Sequence, residues 1–465
     1  MERREPQKLN RKNLTQNGHR AVGSGKKSES INLELELQTN SWLRIGLSAK
    51  DKDLKFSNLF CHFTVANFRE AFRALDGSKA VGIDGITKRD YGQNLDVNLE
   101  SLVTKLHKGT YRPQAKRGTL IPKTDGKTRP IAIASFEDKL VEWVLAKCLS
   151  AIYEPLFINE SYGFRPRRST FDAIKTLYQS LKDKKRPFVV EIDLKSFFDT
   201  VPHQKLIKMI QWRVTDPRIL SLIARFLTVG IWQETGDLKS TDQGTPQGSI
   251  VSPVLANVFL HYVLDRWFVE NYAKHSAVIT RYADDAVFTF KTEDEAKLFY
   301  EELNTRLNNY GLTLNEDKSG MINFRPKTER IFSFVGFTFY WGKGSGGKRR
   351  YLRVKTEKVR LFKKVQEYIA WLKSNRNRIR LIEIWETTKA KLRGHYNYYG
   401  VYTNRPGLEF FYWQTLRALF KWLNRRSQKK SYNWVRFKAR LRQHPLPRPP
   451  KADRLKLLDN RRLYA

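Results

Sequence analysis

Two adjacent aspartates between two apolar runs constrain this chain more than anything else in it. Ala277, Val278 and Ile279 precede Arg281-Tyr282-Ala283-Asp284-Asp285, and Ala286, Val287, Phe288 and Phe290 follow. Runs this short, rich in β-branched and aromatic residues, read as the strands of a hairpin with carboxylates at its tip. Two carboxylates beside a buried sheet repel each other, so something must neutralise them. A divalent cation is the usual solution, since Mg²⁺ is held by one or two carboxylates together with substrate phosphates. An Asp-Asp turn in open water is the bland reading of the same letters. The rest of the chain decides between the two.

At 465 residues the chain is long enough for two or three domains with sizeable cores. Its formal net charge is +39, yet 40% of its residues are hydrophobic and 13% aromatic, so the charge belongs to a folded protein and not to a basic tail. Such an excess points to a polyanion, and aromatics interleaved with the basic residues favour nucleic acid over a membrane surface. No apolar run is long enough to span a bilayer, and no secretory segment opens the chain. Cys61 and Cys148 are too few for a disulfide framework and too isolated for a zinc site. They point to a reducing, cytoplasmic-type compartment and away from an appended zinc-finger nuclease.

Residues 1–55 are polar and rich in Lys, Asn, Ser and Gly, and read as a basic, disordered arm; an RNA-touching role and a start-site artefact are equally open for it. Phe68, Phe72 and Leu75 then mark a helix stopped by Gly77, and Leu95, Leu99, Leu102 and Leu106 a second one stopped by Gly109. Asp125-Gly126 between extended segments signals a hairpin, with Lys123 and Arg129 on its arms suited to grip a triphosphate. Residues 137–152 read as helix. The loop Tyr162-Gly163-Phe164-Arg165-Pro166-Arg167-Arg168-Ser169 sets three arginines among aromatics, either as a phosphate-backbone contact or as a charged surface loop.

Phe188-Val189-Val190-Glu191-Ile192-Asp193 reads as a buried strand ending in a carboxylate, and pairing it with the Asp284-Asp285 hairpin would gather three carboxylates. Gly244-Thr245-Pro246-Gln247-Gly248-Ser249 is a flexible turn before a helix, with Ser252 as N-cap and Pro253 at its first position. Thr292 and Glu295 form a capping box for a helix carrying Ala296, Phe299, Leu303 and Leu307. Strand signals fade in the Gly-rich stretch 342–347, which sets a domain boundary at 345–355. Beyond it Leu361, Val365, Tyr368, Ile369 and Leu372 share a helical face. From Lys421 to Arg448 no acidic residue occurs, and Lys and Arg alternate with Trp422, Tyr432, Trp434 and Phe437. That is the composition of a nucleic-acid clamp, where a merely solvated helix would mix charge signs.

Taken in order, these segments resemble the reverse transcriptases encoded by group II introns, the intron maturases. Gly82-Ile83-Asp84-Gly85-Ile86-Thr87 resembles the family's N-terminal block, and residues 121–131 and 162–169 its fingers blocks. Residues 191–199 resemble the first catalytic block, 244–257 the glycine-turn block, and Tyr282-Ala283-Asp284-Asp285 the second catalytic block. Residues 311–318 and 332–337 look like the last two palm blocks. Leu392-Arg393-Gly394-His395-Tyr396-Asn397-Tyr398-Tyr399 is similar to the maturase thumb, although His395 stands where the family often has Trp. Arg425-Arg426-Ser427-Gln428 resembles the basic segment beyond. The likeness covers about residues 60–450.

The resemblance implies an α+β right-hand polymerase. Fingers and palm would occupy 56–345, a helical thumb/maturase domain 346–420, and a basic nucleic-acid-binding segment 421–465. It implies RNA-directed DNA polymerisation, with two Mg²⁺ ions, or Mn²⁺, on Asp193, Asp284 and Asp285. Lys123, Arg129, Phe198, Gln247 and Lys318 would meet the dNTP. Phe198 would be a steric gate against a ribose 2′-hydroxyl, or else a core aromatic beside Phe197. Lys318 would protonate the departing pyrophosphate, or else make a structural salt bridge. Residues Arg165, Arg167, Arg168, Gly248, Arg425, Arg426, Lys429 and Lys430 would contact nucleic acid, and residues 334–337 would support the primer end. The implied partners are intron RNA, template RNA, a DNA primer and dNTPs, with no membrane, in a bacterial cytoplasm. A splicing cofactor with a vestigial polymerase, or a relative recruited to defence or repair, are the competing functions.

Overall fold

Apolar periodicities of two and of 3.6 alternate along the chain, and strands and helices follow them into a mixed α+β protein. The computed structural model describes residues 41–122, 128–233, 235–239, 242–344, 346–426, 432–451, 455, 456 and 458. Among these the strands are β1 (Lys116–Pro122), β2 (Thr128–Ile133), β3 (Phe188–Ile192), β4 (Ile231–Trp232), β5 (Leu238–Lys239), β6 (Val278–Tyr282), β7 (Asp285–Phe290), β8 (Gly320–Asn323), β9 (Phe332–Phe334), β10 (Phe337–Lys343) and β11 (Arg350–Thr356). They form three sheets, ordered β2-β1-β4-β5, β6-β7-β3-β8 and β11-β10-β9.

The sheet β6-β7-β3-β8 is antiparallel throughout and positions everything else. Its side chains alternate between two cores, as the pleat requires. Val190, Ile192, Phe288 and Phe290 enter one core with the helices Phe136–Tyr153, Ser252–Leu260 and Glu293–Asn309. Val189 and Val287 enter the other, with the helices Thr170–Leu181, Lys358–Asn375, Leu381–Tyr399 and Arg405–Leu423. Burying each such side chain stabilises by about 1.5–3 kcal/mol, so the sheet is held rigidly from both faces. The helices start where the sequence supplies caps. Ser135 accepts from Asp138 N, and capping boxes join Ser169 to Asp172 and Thr292 to Glu295.

Four expectations change. Within the stretch 1–55 read as a disordered arm, Ser41–Ser48 is a helix that buries Ile45, because Trp42 and Ile45 pack into the same core as the helix Phe136–Tyr153. The glycine-rich stretch 342–347 is no domain boundary. Strands β10 and β11 pair across it from Phe337↔Thr356 to Lys343↔Arg350, and the following helix begins only at Lys358. Ser252 is the first helical residue and not the cap; its hydroxyl donates to the Pro246 carbonyl at 3.0 Å, and Val251 holds the cap position. The boundary set at 420/421 falls inside the helix Arg405–Leu423. No helix among the described residues is long and apolar enough to cross a membrane.

Candidate active site

Register brings the carboxylates together. Ile192 of β3 pairs with Ala286 of β7, and one further step of the same ladder sets Asp193 opposite Asp285. Glu191, Asp193 and Asp285 therefore share one face at the open end of the sheet, while Asp284 sits in the turn. That turn is sharply bent, because Ala283 has φ +59, a conformation a non-glycine residue adopts only when its surroundings hold it.

Burial raises the Asp284 carboxyl above its usual range, and the negative charge of Asp193 adds to this, while Arg129 and Lys318 oppose it. Asp285 is pushed up to about 7, first by burial, then by the charges of Asp284 and Asp193 and by hydrogen bonding to Asp193, against the pull of Arg360. Asp193 itself accepts from Asn315 Nδ2 at 2.9 Å and from the Lys318 ammonium at 3.3 Å. Among the described residues no three acidic, His or Cys side chains form a ready-made metal cage. A Mg²⁺ site completed by substrate phosphates does not require one. The donor set fits a divalent cation: hard oxygen donors carry uncompensated charge, and the Lys318 ammonium already stands beside one of them.

This excess charge has a pH signature. A carboxyl raised in the fold binds a proton that the unfolded chain has released, so folding stability falls as pH rises towards the raised value. In chelator, Asp285→Asn is expected to melt above the wild type at about pH 8, with the gap closing as the pH falls through about 7 towards the ordinary Asp range. Equal melting gaps across that window, followed by calorimetry, would show that Asp285 ionises normally.

Between the β1–β2 hairpin and the glycine turn lies a cavity of about 780 Å³, lined by Leu120, Ile131, Ala132, Phe198, Gly244 and Gln247 among others, with none of the three carboxylates in its wall. Its floor is fixed by the glycine turn. Thr245 N donates to Phe198 O at 2.6 Å and Gly244 N to Val201 O at 2.8 Å. Gly244 has φ +92, and a Cβ there would lie 2.8 Å from Phe198 O. Phe198 is consequently held half-buried with its ring edge-on to Phe197 and Phe164, whereas Phe197 is the true core aromatic. Gln247 O accepts from Ala132 N of β2. Gly248 has φ +106, and a Cβ there would meet Ala132 O at 2.7 Å, so its bareness serves contact with the chain's own β2 and leaves its role towards a template unsupported.

The basic candidates divide. Arg129 is exposed on β2 and acts on Asp284. Lys318 is ion-paired to Asp193 with its side chain 65% exposed. Lys123, Lys429 and Lys430 lie outside the described residues. Arg165 is a correction: it is buried, forks onto Glu154 at 2.8–3.2 Å, and donates to the carbonyls of Ile158 and Ser161 at 2.6 Å. It holds the loop together and cannot reach a phosphate. Arg168 is bound to Asn159 and lies over Tyr162, which leaves Arg167 as the exposed cation of that loop. Arg425 packs on Trp422 with its carbonyl bound by Arg376, and Arg426 reaches the Ile379 carbonyl. His395 stacks on Phe411 at 4.1 Å, and burial drives its imidazole down to about 4.

Sequence reasoning missed the scaffold beneath the acidic turn. Arg281 is fully buried and forms a two-point pair with the equally buried Asp265 at 2.7 and 2.5 Å; it also donates to Asn257 Oδ1 and to the Ala283 carbonyl, both at 3.0 Å. Asn257 in turn donates to the Gly163 carbonyl at 2.8 Å, and a Cβ on Gly163 would run into the Ala283 backbone nitrogen. Asp265 reaches Arg281 from a π-helical turn, His261–Asp265. Glu191 was missed too. Period-two alternation puts it on the Asp193 face, where burial raises it to about 7 and its Oε1 has no hydrogen-bond partner. On the far side, Tyr398 Oη donates to the Val335 carbonyl at 3.2 Å, in a β9–β10 turn where Val335 has φ +47 and Gly336 φ +81.

Fold and site together define a protein with an acidic centre at the open end of an antiparallel sheet and a cavity between the β1–β2 hairpin and the glycine turn. Residues 121–339 match the family model described as reverse transcriptase (RNA-dependent DNA polymerase). The chain is 30% identical over 376 residues to the protein YkfC of Escherichia coli K12, covering 73% of this chain and 96% of that one. It is 35% identical over 201 residues to the group II intron-encoded protein LtrA of Lactococcus lactis, 43% of this chain but 33% of LtrA. It is also 27% identical over 278 residues to the putative COX1/OXI3 intron 1 protein of Saccharomyces cerevisiae, 49% of this chain and 33% of that one. The chain belongs to the group II intron type of reverse transcriptase, a family of RNA-directed DNA polymerases.

Proposed function

We propose that this protein extends a DNA primer on an RNA template and that it also binds intron RNA to assist splicing and mobility. In this reading β1 and β2 are the fingers, the β6-β7-β3-β8 sheet is the palm, and the helices from Lys358 onward are the thumb. The observation that carries it is the meeting of Asp193, Asp284 and Asp285 at the open end of the sheet, where Asp285 is hydrogen-bonded to Asp193 and feels the charge of both neighbours.

Asp193 and Asp284 hold the cations, and Asp285 supports them through Asp193. When bound, two divalent ions, Mg²⁺ or Mn²⁺, stabilise charge on the attacking and leaving oxygens. The chain's own groups then position the reactants, which is where most of the rate in phosphoryl transfer arises. Arg129 neutralises the triphosphate, joined by Lys123. Lys318, once released from Asp193, donates a proton to the departing pyrophosphate. The turn carrying Val335 and Gly336, tied to Tyr398, supports the primer end. The splicing half of the reading rests on intron-encoded relatives and on a net charge of +39. An intact carboxylate set argues against a vestigial polymerase.

Phe198 gives the test of which polymer is made. A ring beside the incoming sugar leaves no space for a 2′-hydroxyl, so Phe198→Ala should admit ribonucleotides with much less penalty. The measurement is kcat/KM for a matched dNTP and rNTP on one RNA template. If Phe198 were only a packing residue, its removal would cost up to about 3–5 kcal/mol through a cavity. A variant that melts lower and still rejects the rNTP refutes the gate.

A further inference from the structure

A second basic concavity lies at the opposite end of the sheet from the carboxylates. It encloses about 720 Å³ between the end of the helix Thr170–Leu181, the segment after β8 and the tip of the β10–β11 hairpin. Lys182, Lys184, Lys327, Lys348, Arg349 and Arg350 line it, against Asp183 alone. Its position follows from register. β8 pairs with β3 so that Asn323 lies opposite Phe188 and Gly320 opposite Glu191. The chain beyond Asn323 thus leaves the sheet at the Phe188 end, while Asp193 lies past the other end. Five residues of strand separate Phe188 from Asp193, about 16 Å at roughly 3.3 Å each. The concavity is outside the polymerase cleft.

Its charges are poorly compensated. Arg350 pairs with Glu329 at 2.5 Å and donates to the Pro326 carbonyl. Lys184 lies over the Trp341 ring at 5.5 Å. Lys327, Lys348 and Arg349 are exposed and form no salt bridge among the described residues. Gathering like charges in one hollow destabilises a fold by self-repulsion, and an anionic chain threaded through it relieves that cost. The aromatic floor is already committed: Trp341 Nε1 donates to the Phe324 carbonyl at 2.8 Å, and its ring is covered by Lys184. Tyr178 is buried and donates to the Leu352 carbonyl, so the half-buried Tyr351 is what remains of the lining aromatics to meet a base, a contact tolerant of sequence. The chemistry suits phosphates chiefly, independent of sequence.

We infer that this concavity is a second nucleic-acid site, which takes the phosphodiester backbone of a single-stranded RNA segment lying outside the polymerase cleft. RNA is favoured over an acidic protein because the cations come from three separate segments around one hollow, with no apolar anchor exposed among them. RNA is favoured over DNA because an RNA-directed polymerase must hold template beyond the duplex in its cleft. To that extent the inference rests on the function proposed above.

The test uses the full chain and its Lys327→Ala, Lys348→Ala, Arg349→Ala triple variant. Fluorescence anisotropy compares a short template–primer hairpin, which fills only the cleft, with the same hairpin carrying a long single-stranded RNA extension, across a salt series. Removing three phosphate contacts should weaken binding of the extended RNA about tenfold and flatten its log–log salt slope by about 2, at roughly 0.7 per contact. Affinity for the short hairpin and its extension rate should stay at the wild-type level. Wild-type binding of both RNAs, or equal loss on both, overturns the proposal. A single-stranded DNA extension of equal length should lose affinity to the same degree, because the site meets the phosphate backbone; a loss on RNA with wild-type binding of the DNA extension would overturn the backbone-contact reading. Failure of the wild type to extend the short hairpin would instead sink the polymerase reading, so the two failures are distinct.

Discussion

Asp193→Asn and Asp284→Asn are each expected to abolish primer extension on an RNA template while leaving RNA affinity and folding intact. Asparagine keeps the shape of the side chain and removes the charge that holds a divalent cation. Binding of RNA rests on a distributed basic surface, so a filter-binding titration should barely move. The fold itself should gain. Burial and the neighbouring carboxylates already penalise ionised Asp284, so a neutral group there relieves repulsion, and the melting temperature in chelator should not drop. Normal extension by either variant would remove these residues from the catalytic centre. A collapse of melting temperature would mean that their role is architectural.

The acidic hairpin was legible in the sequence because everything that makes it is local: two apolar runs, a turn and alternation. Asp193 needed more, since only the β3–β7 register brings it opposite Asp285, but a buried strand ending in a carboxylate is a strong enough pattern to anticipate. The arginines of the loop 162–169 were not legible. Three arginines look alike in a string, and what turns Arg165 inward is Glu154, the C-cap of the helix Phe136–Tyr153, together with the carbonyls of Ile158 and Ser161. The glycines of 342–347 were misread for a related reason. A hairpin tip and a linker have the same composition, and only the cross-strand partners of β10 and β11 distinguish them.

The Arg281 network was invisible for a sharper reason. Asp265 falls at the end of a π-helical turn, where a 3.6-residue period assigns the wrong face. Glu191 lies in the same motif, but a single carboxylate within an apolar strand carries no signal of its own until alternation is counted from Asp193.

The scaffold under the acidic turn yields the second large effect. Arg281→Met leaves Asp265 buried without its partner, which should destabilise the protein by about 3–5 kcal/mol. Activity should fall as well, because the Ala283 carbonyl loses the donor that keeps this residue at φ +59. The turn can then relax and carry Asp284 with it, and a displacement of about 1 Å at a reacting centre costs on the order of 100-fold in rate. Stability and activity fall together in that variant, so it cannot separate a role in folding from one in positioning. The double variant Arg281→Met, Asp265→Leu can. Replacing both partners by apolar groups of similar volume removes the unpaired buried charge, and such replacements are often neutral or stabilising. Melting temperature should therefore recover towards the wild type. The hydrogen bond to Ala283 is still missing, so kcat should remain about 100-fold down, with RNA affinity unchanged. Recovery of both properties in the double variant would reduce the network to ordinary core packing. Recovery of stability alone identifies Arg281 as the residue that sets the position of Asp284.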